Sequence, residues 1–302
     1  MSQPPTSPDS EAQQREKDNR ATQLEAMLRW AGLSDRGIEK LRNGQDRTGP
    51  GWQRLAKAVE NKYPAMGKKS AEADAVRPAV VEGLRFARRG SSSLQEFAYR
   101  YEYFKALYDE QSQDILTNRR DLSKTERHEL ASRRMTRIDA QGVLDSDTEI
   151  IRKERSQERV DIDLNQSEEE IVAAIREQAE NIGMGHDTST AYHARKHFGE
   201  LPKEEQVGHP ISAYLKSLAS TIQNGEASNF TRMDEGQSAS LVIDRILPRK
   251  RDGSPKRQES EAKEAGEVSV LRARLFVRPH TGVVAPTHMR DKAERPADHE
   301  RG

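Results

Sequence analysis

Val268-Ser269-Val270-Leu271-Arg272-Ala273-Arg274-Leu275-Phe276-Val277, followed by Arg278, alternates as an extended chain does. In a strand, Leu271, Ala273, Leu275 and Val277 share one face, and Arg272, Arg274, Phe276 and Arg278 share the other. The first set is a core face. The second carries three guanidiniums and one aromatic ring, a set suited to phosphates and an unstacked base, although arginines are also ordinary on a solvated sheet face. Upstream of Asn224 the apolar spacing is helical instead. The expected fold is therefore α+β: a mostly helical N-terminal two thirds, then a C-terminal domain of two helices packed on a small antiparallel sheet.

Downstream, Pro279-His280-Thr281-Gly282 reads as a turn into a further strand, Val283 to Met289, which returns Thr287 and His288 to the same sheet. Upstream, Ser240 to Leu247 is a strand. The charged excursion between them, with Arg249-Lys250-Arg251, Gly253 and Pro255, is expected to be disordered over 249–266. Before the strands, Gly208-His209-Pro210 opens a helix bearing Ile211, Tyr214, Leu215, Leu218 and Ile222, and Asn224-Gly225 ends it.

The preceding helix holds Thr190-Ala191-Tyr192-His193-Ala194-Arg195-Lys196-His197-Phe198. Helical spacing puts His193 and His197 on one face with Lys196 beside them. Imidazole exchanges protons near neutral pH, and a fixed cation stabilises charge on phosphorus, so the set suits phosphate chemistry. The bland alternative is a solvated face carrying two histidines. A zinc site is disfavoured, because no glutamate follows the first histidine and no third ligand stands out.

Towards the N-terminus, residues 1–20 are rich in Pro, Ser, Gln and Glu and are expected to be a disordered tail. Leu24, Met27, Leu28 and Ala31, then Ile38 and Leu41 after a Ser34 cap, then Trp52, Leu55, Ala56 and Val59, suggest three short helices over 21–66. Gly32-Leu33-Ser34-Asp35-Arg36 and Leu55-Ala56-Lys57-Ala58 weakly resemble a phage-repressor-like helix-turn-helix. A non-enzymatic alternative follows, a helical DNA-binding regulator or adaptor using 21–63. Residues 67–182 read as a helical docking or linker region in which Pro78 interrupts one helix. Phe97, Tyr101, Phe104 and Tyr108 form a core stripe there, and Ser167-Glu168-Glu169-Glu170 is a capping box. Two glycines within 181–185 mark the expected boundary of a last domain, 183–302.

Of the 302 residues 33% are hydrophobic and 33% charged, so the core is small for the length. The formal net charge is zero, so nucleic-acid binding would need a local patch. No cysteine is present, which excludes disulfides and thiolate chemistry. No apolar run is long enough to span a membrane and no cleaved signal peptide is evident, so export would take another route.

The histidine helix, a following Pro, a second helix ending in Asn-Gly, and a short sheet closing on Thr287-His288-Met289-Arg290 together resemble one known group. These are the C-terminal ribonuclease domains of bacterial polymorphic toxins in the barnase–EndoU–colicin–RelE-like superfamily. The resemblance covers roughly 188–292 and is most specific at His193-Ala194-Arg195-Lys196-His197, while the excursion at 248–267 is longer than its pattern. It implies RNA cleavage, with tRNA among the candidate substrates, by acid–base transesterification with no metal and no cofactor. Its implied catalytic set is His193, with His197 or His288 as partner, Lys196 and Arg278 stabilising charge, and Thr287 hydrogen-bonding a phosphate oxygen. Tyr192, Arg272, Arg274, Phe276 and His288 would bind substrate. It further implies a toxin made in a bacterial cytoplasm and exported through carrier machinery that docks the N-terminal region. Such a toxin acts in a target-cell cytoplasm and is countered by a cognate immunity protein.

Overall fold

The computed structural model describes residues 22, 24–43, 55–57, 59, 70–91, 93–155, 159–247, 267–279 and 281–294. The expected tail at 1–20, the loop at 249–266 and most of the third short helix lie outside them. The chain is α+β, with helical N-terminal two thirds and a four-stranded antiparallel sheet near the C-terminus. It divides into two units at Leu144–Asp145.

In the first unit, residues 24–30 are helical, Gly32 turns the chain at φ +86°, and the Ser34 hydroxyl accepts the Gly37 amide to start α1 (Asp35–Asn43). Serines cap the next helices too. Ser70 takes the Ala73 amide ahead of α2 (Ala71–Gly90), and Ser93 takes the Glu96 amide ahead of α3 (Leu94–Asn118). Pro78 does not end α2. Proline has no amide hydrogen to give, and the next amide, Ala79 N–H, donates to the buried hydroxyl of Ser132 at 3.0 Å, from α4 (Lys124–Met135). This part of the expected docking or linker region thus packs through Ala131, Ser132 and Met135. Phe97, Tyr101, Phe104 and Tyr108 are all buried, as their spacing requires.

Two expected boundaries are corrected. Residues 21–66 are not a separate unit, because Leu24, Leu28, Leu55 and Val59 share one core with Val76, Val80, Leu84, Phe97 and Tyr101. Likewise the glycines at 181–185 open no new domain. Val160, Ile171, Val172, Ile175 and Ile182 pack in one core with Leu218, Ile222, Leu241, Ile243, Leu275 and Val277. The second unit therefore takes in the end of α5 (Ala140–Glu154) and all of α6 (Glu168–Glu177). The Ser167–Glu170 capping box forms as expected, with bonds of 3.3 and 2.9 Å.

In that unit α7 (Asp187–His197) and α8 (Pro210–Asn224) pack on the sheet. The strands β1 (Glu226–Met233), β2 (Ser238–Ile246), β3 (Glu267–Arg278) and β4 (Gly282–Glu294) are hydrogen-bonded in sequence order. β1 was not expected from sequence. It is an edge strand, largely exposed, with a bulge between Ser228 and Thr231, so it shows no clear alternation. At the other edge, β4 receives the chain at Gly183, and the Val283 amide donates to the Val160 carbonyl at 2.9 Å. No described helix is long and apolar enough to cross a membrane.

Candidate functional site

β3 behaves as its alternation predicts. Leu271, Ala273, Leu275 and Val277 are buried against the helices, and Arg272, Arg274, Phe276 and Arg278 lie on the opposite face. β4 does not stay in phase. Arg274 pairs with Thr287, but Phe276 pairs with Val284, so Ala285 and Pro286 together face one β3 residue. Beyond that bulge the parity reverses. Ala285 and His288 both point at the helices, whereas Thr287 points to the outer face with Arg274.

The sequence-predicted set is thereby divided. On the outer face, Arg272 is held by Asp244 at 2.8 Å and by Asp291 at 2.5 Å. These partners, Asp244 first, push the guanidinium above its ordinary range and neutralise it as a phosphate ligand. Arg274 is exposed, and no described residue pairs with it. The Arg278 guanidinium lies 5.0 Å from the Phe276 ring centroid, at the hairpin end opposite Gly282. Arg278 and Thr287 therefore do not join the histidines on the helix side, contrary to the expected catalytic set.

On the helix side, α7 packs against α8 and β4. His193 and His197 stack with centroids 5.8 Å apart and planes 12° from parallel, the i, i+4 geometry expected of them. His193 is half-buried and His197 is buried. Tyr192 is buried, its ring 4.6 Å from that of His193, and the exposed Lys196 ammonium lies 5.3 Å from the Tyr192 centroid. Just past the end of α7, Glu200 completes the arrangement. One carboxylate oxygen meets His197 Nδ1 at 2.8 Å, and the other accepts the Arg290 amide at 3.2 Å. Burial alone would raise the Glu200 carboxyl, but the His197 hydrogen bond and the charges of His197 and Lys196 outweigh it and hold it below its ordinary value. With Nδ1 so engaged, Nε2 of His197 is the nitrogen left for proton transfer.

A second polar group sits behind this pair, on residues that the pattern reading missed. Along β2, Leu241, Ile243 and Arg245 point at the helices, so a guanidinium occupies an apolar position. Arg245 donates to both oxygens of Glu205 at 2.7 and 2.9 Å, to Thr221 Oγ1 at 3.2 Å and to Ser217 Oγ at 3.3 Å. Thr221 Oγ1 lies 3.1 Å from His288 Nε2, and the Tyr214 hydroxyl donates to the His288 carbonyl at 2.5 Å. His288 is fully buried and its Nδ1 has no hydrogen-bond partner. Burial first, then the Arg245 charge, pushes this imidazole down to about 3. A group that stays neutral throughout the physiological range cannot act as a general acid, which removes His288 from the acid role that the resemblance allowed it.

The signal for Arg245 was in the sequence, as a charge in phase with Leu241 and Ile243. Glu200, at i+3 from His197, was legible as a helix-end partner. Glu205, Ser217 and Thr221 gave no signal beyond their type. No cluster of metal-ligating side chains occurs among the described residues. Compared with models of protein families, with curated proteins and with solved structures, the chain matches none.

Proposed function

We propose that the second unit cleaves RNA by metal-independent transesterification, with His193 and His197 as the acid–base pair. The observation that carries this reading is the stacked pair of imidazoles with one ring oriented by a carboxylate and an ammonium beside it. One imidazole removes the proton of a ribose 2′-hydroxyl, whose oxygen attacks the adjacent phosphorus. The other gives a proton to the departing 5′-oxygen, and a 2′,3′-cyclic phosphate remains. Lys196 stabilises the charge that develops on the phosphoryl oxygens. The two histidines must hold opposite protonation states, so the rate should fall on both sides of an optimum. In the same reading the chain is a delivered bacterial effector, its helical first unit serves docking to carrier machinery, and an immunity protein protects the producer.

The test is incubation of the full chain with total and transfer RNA in excess EDTA. Cyclic-phosphate ends should appear, and His193→Ala or His197→Ala should slow their formation by about 10²- to 10⁴-fold while the thermal melt persists. Cleavage by either variant at the wild-type rate, or none by the wild type, would remove this reading.

A further inference from the structure

Arg245, Ser217, Thr221 and His288 form a cluster around a guanidinium that stands at an apolar position of β2. Its N–H groups are met by the two carboxylate oxygens of Glu205 and by the Ser217 and Thr221 hydroxyl oxygens, so Glu205 is the one anion paired with it among the described residues. Ser217, Thr221 and His288 are buried, and His288 Nδ1 is unsatisfied in the interior. Glu205 and Arg245 are each about a fifth to a quarter exposed, so the clasp over the cluster opens to solvent. Glu205 belongs to the irregular segment between the short helical turn at Phe198–Glu200 and α8. That segment ends at Gly208 (φ +81°) and carries an exposed Val207.

The geometry points to a phosphate subsite here, in which the Glu205 carboxylate stands where a phosphate group of the substrate would sit. A carboxylate that accepts a bidentate guanidinium and the Ser217 hydroxyl presents oxygens much as a phosphate does. The subsite rests on the reading of the second unit as a ribonuclease, and it supplies the phosphate contacts that Arg278 and Thr287 cannot make from the outer face. Its link to the acid–base pair is visible in His288, which feels the charges of His197 and Glu200 as well as those of Arg245 and Glu205. Substrate binding would exchange one anion for another over Arg245. The segment at 201–209 is then a closed cover that competes with substrate.

The experiment measures inorganic phosphate binding by calorimetry on the full chain, at constant ionic strength, for wild type, Glu205→Gln, Arg245→Met and, as a control at an exposed arginine of the first unit, Arg120→Ala. Removing the competing carboxylate should tighten phosphate binding about tenfold or more. Arg245→Met should abolish it and Arg120→Ala should leave it unchanged. A parallel thermal melt guards against poor folding. Glu205→Gln should lose melting temperature and regain it with phosphate but not with equivalent chloride. If Glu205→Gln binds phosphate no better than wild type, or if phosphate fails to restore its melt, the clasp is structural and the subsite does not exist. Phosphate binding by Glu205→Gln in a chain that cleaves no RNA would leave the subsite standing and remove the ribonuclease reading alone.

Discussion

His288 shows what one displaced side chain does to a site. Alternation from Val283 puts it outside, yet it is fully buried between Tyr214 and Thr221. Its folded-state proton affinity is depressed from 6.5 to about 3, so the unfolded chain binds the extra proton between those values. The stability this neutral imidazole supports is therefore complete above about pH 6.5 and is lost as pH falls towards about 3, with a slope of up to about 1.4 kcal/mol per pH unit. Arg245 and His197 oppose protonation, whereas Glu205 and Glu200 favour it. Both carboxyls lie below their ordinary 4.5, so the interval from pH 5 to 6.5 sets them aside, and comparison with His288→Gln separates this histidine from the other seven. Urea melts should show a positive slope there for the wild type and a flatter one for His288→Gln. Matching slopes would place the titrating group elsewhere. Arg245 was open to the same scrutiny in the sequence, as a charge on an apolar strand face. The outward Arg274 could be read at once, because nothing but alternation determines it.

The decisive feature of β4 is one extra residue. The bulge at Ala285–Pro286 lets Ala285 and His288 both face the helices, three positions apart rather than two. Alternation is a rule about unbroken pairing, and Pro286, which has no amide to give the ladder, was the one sign of a break in 283–289, so β4 was legible as a strand while its phase hung on that residue. β1 was not legible at all. The partly buried Ala227 and Phe230 pack on the core three residues apart, across a second bulge. Deleting Pro286 should leave Ala285 alone opposite Leu275, so Thr287 stays outward and His288 stays inward with its Tyr214 and Thr221 contacts. The deletion should therefore keep the positive slope of stability between pH 5 and 6.5 that His288→Gln flattens. Loss of that slope would mean that β4 has changed register rather than closed its bulge. The helices were easier to read because caps are local. Ser34, Ser93 and Ser167 act within three residues of themselves.

At the scale of the molecule, the boundary between units falls inside α5, where composition gives no sign of it. Glycines at 183 and 185 read as a domain boundary, but Gly183 is pressed into the C-terminal unit. A side chain there would collide with the Arg155 guanidinium. Val160, Ile171, Val172, Ile175 and Ile182 belong to that unit's core. At about 2 kcal/mol each for full burial, they carry roughly 10 kcal/mol, as much as a whole domain's net stability. A fragment of residues 145–302 should therefore melt cooperatively, and one of 183–302 should not. Cooperative unfolding of the shorter piece by calorimetry would contradict this division. The α+β class itself was legible, since it needs only the change of period after Asn224.

The buried pair Asp147–Arg195, at 2.6 and 2.9 Å, ties the end of α5 to the helix that carries both histidines. Seen as a mechanical joint, it lies at the point where the chain enters the second unit. Tension applied upstream of Asp145 reaches that pair first, then the Arg152–Asp187 and Glu154–Ser212 contacts, then the Val160–Val283 backbone bond, before it reaches the β3–β4 hairpin. Unfolding by traction from that end would thus pull α7, with both histidines, away early while most of the sheet still holds. Traction from the β4 end would begin by peeling an edge strand instead. The order in which the histidine helix and the sheet are lost depends on which end is pulled.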